Sequence, residues 1–396
     1  MKIILFFLLI TFVFIPCLYS DDDYGIPKRT FETGLVHTNL SFSNDFLTFN
    51  DVFQETLVFN IDSLKDGLNL SLGAGITPLY FSVNNENRWG FGLALGLDTA
   101  GIISLPGSMT SFDQAVNARS DAGGAAFIGA EIPVFFHISR LKVKVNPSVF
   151  YPLMFIDPDI SYTNRAVPGG TELDLRYNLR VYTPFSLESG NWQSLSAIPG
   201  VDINLGVEFP ISDVLGLTNK LKILNFKIGA DFYNVPVLSA QLNNFMEVRG
   251  RVGSDEPINI LDDGLGGILD NVEGETNYGN QTVGVYRPFK MQAWADWQPF
   301  GKFLHLIPTV GFAVSPYYTE SFLLEGGLKT RLDLGNVFIA TLGVGYYDRL
   351  WMNSVDLALN FRFMEINLGL DMRSYDLINV LQGGGYGVNF GLKFGW

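Results

Sequence analysis

Three histidines, His37, His137 and His305, and one cysteine, Cys17, are the residues best suited to nucleophilic, proton-transfer or metal chemistry in this 396-residue chain. None of the histidines has a partner ligand at the i, i+3 or i, i+4 spacing that holds a metal on a helix. No G-x-S-x-G elbow, Walker loop or G-x-G-x-x-G run occurs either. Sites assembled from distant strands leave no local motif, so these absences carry limited weight. His137, expected to point inward beside Glu131, and His305, also inward, read as hydrogen-bonded interior histidines. The reading is no enzyme, no cofactor and no metal.

A larger set of ionisable residues is regularly spaced. Glu172, Asp174, Arg176, Arg180, Asp202, Glu208, Lys227, Asp231, Lys290, Asp296, Glu325, Lys329, Arg331, Asp333, Asp356, Arg362, Asp371 and Arg373 all fall on the polar side of alternating segments. One reading makes them the lining of an aqueous passage, where opposed charges set up a transverse field. The other makes them salt bridges that brace a narrow interior. Both require this face to be inside, because a charge in hydrocarbon is costly. Conduction is slightly favoured, since barrels with this many strands leave room within.

The elements that would position these residues are strands. From Gly67 onward, apolar residues recur at every second place, as in Leu68–Ile76, Leu173–Val181, Leu324–Leu334 and Phe338–Tyr346, in runs of the length that crosses a bilayer at a tilt. Fourteen such segments are countable, with a range of fourteen to sixteen because the short link 139–141 falls on the wrong rim. A hidden strand between Val237 and Tyr286, and another at Phe31–Ser43, would restore an even total. Trp297, Phe300 and Phe303, and Tyr346 with Trp351, read as interfacial aromatic belts. Pro133, Pro147, Pro288 and Pro308 each remove a ladder donor, which places them near a rim or beside a bulge.

The last segment is the cleanest. Tyr386, Val388, Phe390, Leu392, Phe394 and Trp396 alternate with Gly387, Asn389, Gly391, Lys393 and Gly395. It resembles the closing strand of bacterial outer-membrane β-barrels, and that resemblance implies that these apolar residues are an assembly signal read by the barrel assembly machinery. The whole outline is similar to the long-chain fatty-acid transporter family, which implies a fourteen-stranded barrel with an N-terminal plug and a fatty-acid or other small-molecule ligand. Stretches such as Phe31-Glu32-Thr33-Gly34-Leu35 and Asn44-Asp45-Phe46-Leu47 resemble uncharacterised spirochaete-like barrel proteins.

Residues 1–20 read as a signal peptide cleaved near Ser20: Lys2, an apolar run Ile3–Ile15, then the acidic Asp21-Asp22-Asp23. Lipidation at Cys17 is the alternative, and Pro16 fits it poorly. The net charge of −14 argues against nucleic acid as a partner. Hydrophobic content of 47% beside 17% charged residues, spread in short pieces, suits a membrane barrel contacting outer-membrane lipids. Residues 21–66 alternate poorly, and Asp51 with Gln54 makes a capping box, so they read as an N-terminal plug or rim segment, or equally as a first strand and turn. Residues 67–396 are the barrel.

The loop at about 235–283 is long and acidic, with Asp255, Glu256, Asp262, Asp263, Asp270, Glu273 and Glu275. Ile258, Leu261, Leu265, Ile268, Leu269 and Val272 recur at helical spacing, as in an amphipathic lid. A divalent-cation site and a solvated loop are the other readings, the last being the plainest. The expectation is an all-β, antiparallel up-and-down barrel in the outer membrane, acting as a passive diffusion or uptake channel for small or hydrophobic solutes. The alternative is a surface barrel whose loops bind a partner, as an adhesin or structural element.

Overall fold

The computed structural model describes residues 29–44, 67–85, 88–106, 116–119, 121–168, 170–186, 196–214, 225–253, 272–315, 322–375, 377–381 and 384–396. Residues 1–20, expected to be a signal peptide, residues 45–66 and the 254–271 stretch expected to be helical lie outside them. The first strands are β1 (Phe31–Asn44), β2 (Gly67–Asn85), β3 (Trp89–Pro106), β4 (Val116–Arg119), β5 (Asp121–Glu131), β6 (Val134–Ile138) and β7 (Leu141–Val167). Next come β8 (Gly170–Thr183), β9 (Ala197–Ile198), β10 (Gly200–Phe209), β11 (Phe226–Leu238), β12 (Ala240–Gly253) and β13 (Val272–Val285). The chain ends with β14 (Phe289–Trp297), β15 (Leu304–Val314), β16 (Phe322–Leu334), β17 (Phe338–Tyr347), β18 (Leu350–Asn360), β19 (Met364–Ser374) and β20 (Gly385–Gly395).

These strands form a closed antiparallel barrel of fourteen wall positions. The ring runs β1, β2, β3, β5 with β6, β7, β10, β11, β14, and then β15 to β20, which pairs back on β1. At the seam, Phe31 and Trp396 exchange two backbone hydrogen bonds of 3.1 Å. Closure removes the open sheet edges that lipid would not tolerate.

Alternation is what decides the faces. On β19, Leu370 is 63% exposed on the outside, whereas Asp371 is 9% and Glu365 1% exposed. Leu324, Leu342, Leu357 and Val388 repeat the outward pattern on their strands. Both ends of the ring's chain, Phe31 and Trp396, share a rim with the tight connections at 139–140, 335–337 and 361–363. Tyr347 and Leu350 are joined by Asp348 and Arg349, both at positive φ (49° and 67°), the geometry of a two-residue type I′ hairpin.

Two features of the wall bear on the sequence reading. Phe31–Asn44, read as part of a plug or rim segment or equally as a first strand, is a wall strand paired on both sides. Leu173–Val181 does form a strand, β8, but it runs in the same direction as β10 and shares its wall position. The total of fourteen therefore stands because β1 joins the count while β8 and β10 share one wall position. With β8 and β10 in series, the link at 139–140 returns to the short-turn rim.

The same doubling occurs twice more: β11 leads into β12 through Ser239, and β13 into β14 through Tyr286-Arg287-Pro288. Much of the loop at 235–283 is thus β-hairpin. Beside β7, β10 is the neighbour up to Phe150 and β8 is the neighbour from Phe155 onward. Above that level β8 pairs with β12 and β12 with β13, making an upper tier on one side of the ring.

The prolines mark lapses in the ladder and not the rims. Pro133 separates β5 from β6, and the opposing Pro147 carbonyl accepts the Ile132 N–H at 3.0 Å. An antiparallel residue points its N–H and C=O to the same side, so the donor Pro147 lacks would also have faced this break. Pro308 lies mid-strand, where the β14–β15 pairing skips from Trp294–Thr309 to Trp297–Leu306.

Candidate functional site

The polar interior of the ring is the site to examine, and it is built by neighbouring strands. On β10, Glu208 takes Lys142 of β7 at 3.4 Å and Lys227 of β11 at 3.5 Å. Asp231 accepts the Trp294 indole N–H at 2.6 Å; that ring lies flat across Gly229, where a Cβ would come within 2.2 Å of it. Lys290 reaches both Glu325 and Asp348 at 3.1 Å. Asp296 accepts from Gln298 at 2.7 Å and faces His305 Nδ1 at 2.9 Å, while His305 Nε2 lies 3.2 Å from the Lys302 carbonyl.

Further round, Arg331 is buried 3.9 Å from Asp333, which accepts the Asn336 N–H at 2.6 Å. Lys329 shares their face of β16, two residues from Arg331. Asp356 accepts from Asn389 at 2.9 Å, Arg373 pairs with Asp371, and Lys393 approaches Glu365 at 3.8 Å. Most of the ionisable residues singled out from the sequence are thus drawn into pairs along the wall. Arg362 is a correction: it is exposed in the 361–363 turn, because the strand ends at Asn360 and the alternation does not extend past it.

Asp174, Arg176 and Arg180 belong to the upper tier, on the face of Tyr182 that turns toward the lumen. Arg180 binds Glu247 at 2.8 Å, and Glu247 also takes Arg249; Arg251 binds Asp174 at 2.8 Å, and Asp174 also takes Arg176. Burial pushes the Asp174 carboxyl up, but hydrogen bonds from Arg251 and Arg176 outweigh it and hold it below the ordinary carboxylate range. Glu172, at the far end of β8, is in register with Arg165 of β7.

His137 is exposed, with Nδ1 3.4 Å from the Arg88 carbonyl at the short-turn rim, and not placed beside Glu131. Glu131 instead holds Asn146 at 2.8 Å. Tyr386, Val388, Phe390, Leu392 and Phe394 share the outer face of β20, and Trp396 stacks on Phe31.

Arg287 is the residue that the sequence reading passed over. It is buried just before β14, and its guanidinium takes Asp202 at 2.5 and 2.7 Å, Ser148 at 2.6 Å and Glu131 at 3.3 Å. Asp98 lies 4.0 Å away and the Phe150 ring centroid 5.1 Å. These partners come from β3, β5, β7 and β10. Its signal in the sequence was its isolation, as the only cation between Arg251 and Lys290 in an acidic stretch.

Beside this cluster, Ala240, Leu242 and Val285, at the base of the β12–β13 hairpin, are buried against Ile102, Ala125, Phe127, Phe150 and Tyr182. Gly200 allows the close approach: a Cβ there would lie 2.3 Å from the Phe150 ring and 2.8 Å from the Ala240 nitrogen. One side of the lumen is therefore filled by an apolar core at the level where the upper tier begins.

No protein-family model and no curated protein matches the chain. Among solved structures, the P. putida toluene transporter TodX is similar in fold, with a TM-score of 0.52 at 10% identity, covering 93% of this chain and 91% of that one. The translocator domain of the autotransporter NalP from Neisseria meningitidis aligns with a TM-score of 0.36 at 7% identity, over 95% and 91% of the two chains. OpdK, an outer membrane protein of Pseudomonas aeruginosa, gives 0.24 at 11% identity, over 92% and 98%. TodX establishes the likeness of fold; the other two scores are too low to add to it.

Proposed function

We propose that the chain is an outer-membrane channel that admits small solutes by passive diffusion, with no chemistry performed on them. One observation carries this reading: apart from the cluster around Arg287, the ring's interior ion pairs run along the wall and not across it. Lys142–Glu208–Lys227, His305–Asp296 and Lys393–Glu365 join adjacent positions, and Lys290–Glu325 joins positions two apart. Pairs of this kind stiffen a wall while leaving the middle to water. A brace filling the lumen would need partners from opposite sides.

The likeness of fold to a toluene transporter agrees with uptake. The interior wall offers a passing solute charged groups, while the apolar core is sealed by packing within the chain, so small polar solutes suit it better than hydrophobic ones. The test is single-channel recording with purified, folded protein in planar bilayers. Discrete conductance steps are expected; a folded barrel that never conducts would favour the partner-binding alternative. Displacement of a fluorescent fatty acid, expected to be absent, would redirect the solute class.

A further inference from the structure

We infer that the base of the β12–β13 hairpin narrows the chain's own lumen, and that Arg287 is the positioning residue that holds it there and sets the width of the passage. This rests on the channel reading above. Three wall positions change partners at one level: β10 gives way to β8, β11 to β12 at Ser239, and β14 to β13 at Tyr286-Arg287-Pro288. The linker cannot continue the ladder through Pro288, which lacks an N–H. It is fastened instead by Asn234, at a positive φ of 53°, whose side-chain amide donates to the Pro288 carbonyl at 2.8 Å. Asn204 in turn accepts the Asn234 N–H at 2.7 Å.

Past this staple the hairpin base leans inward. Ala240, Leu242 and Val285 pack on inward-facing residues of β3, β5 and β7, strands separated from β14 by several wall positions. Arg287 bridges the same gap electrostatically, touching Asp202, Ser148 and Glu131, with Asp98 next in reach. Among the ion pairs described here, this cluster alone reaches across the lumen. Its chemistry is one-sided: a single guanidinium stands among three carboxylates from three strands. With the cation gone, those carboxylates face one another and nothing polar draws the linker inward. Among the described residues β13 pairs only with β12, while β12 is also laddered to β8 and β9, so the base of the hairpin moves outward together with β8 and not alone.

The experiment compares wild type with Arg287→Met, Arg287→Lys and the milder Asp202→Asn by bilayer conductance and by swelling of liposomes in neutral sugars of increasing size. Heat-modifiable mobility on gels confirms a folded barrel in each case, and Asp202→Asn serves if Arg287→Met does not fold. Arg287→Met is expected to raise conductance several-fold and admit larger sugars, Asp202→Asn to fall between, and Arg287→Lys to stay near wild type. Folded variants with wild-type conductance and the same size limit would overturn the latch while leaving the channel standing. If neither wild type nor variants pass any solute, the channel reading fails and the latch fails with it.

Discussion

The indole of Trp396 stacks on the ring of Phe31, with centroids 4.8 Å apart and planes inclined by 28°. The same two residues exchange both backbone hydrogen bonds, so the chain's last side chain caps the seam that closes the barrel. An aromatic pair of this geometry contributes about 0.5–1.5 kcal/mol beyond its buried area. Trp396→Ala should lower unfolding stability in detergent by about that amount, and heat-modifiable mobility should be lost at a lower temperature than in wild type. Equal thermal profiles would remove the seam-capping role.

The wall's two faces should respond very differently to charge. Leu370→Arg places a guanidinium on the outer face of β19, where the cost near the bilayer midplane is about 2–4 kcal/mol. Asn367→Lys, on the opposite face of the same strand beside Glu365, should change stability little. Equilibrium unfolding in lipid vesicles checks both, and similar losses would mean that the faces are misassigned.

Buried and exposed ion pairs should separate as clearly. Asp296→Ala leaves His305 and Gln298 without their shared acceptor in a buried setting, and a buried group left without its hydrogen-bond partner costs about 1–3 kcal/mol. Asp174→Ala breaks a ladder whose arginines are largely solvent-exposed, for which about 0–1 kcal/mol is expected. Denaturant titrations of the two variants should rank in that order.

Gly229 and Trp294 form a packing unit of the kind that tolerates no added volume. Gly229→Val would put methyl groups where the indole lies, displacing its N–H from Asp231. Overpacking of this sort costs about 1–3 kcal/mol, and the Trp294 environment can be followed by fluorescence. An unchanged emission maximum and midpoint would contradict the packing.

Much of this wall was legible from residue order, because a period of two is a direct consequence of strand geometry. β14 to β20 lie where their alternation put them, and the tight turn at Gly335-Asn336 follows from residues that accept positive φ. β1 was obscured because a bulge between Gly34 and Val36 shifts its period midway. β8 and β10 were counted as separate crossings because alternation reports a face and not a height. Arg287 was passed over for a related reason: it lies in a three-residue linker with no periodicity, and its partners Asp98, Glu131 and Asp202 come from three distant strands. Arg362 was misassigned because the alternating pattern, taken past Asn360, ran into a turn.

The central claim is that alternate residues of one strand face water and lipid, and β17 offers adjacent positions to test it. Thr341 is on the face in register with Asp356 and Arg331, while Leu342 is exposed on the outer face. The chain's one cysteine is Cys17, so a cysteine introduced together with Cys17→Ser would be the only thiol. Single-channel current should fall when a bulky, charged, water-soluble thiol reagent is added to Thr341→Cys, and should be unaffected for Leu342→Cys. Block at both positions, or at Leu342→Cys alone, would contradict the account.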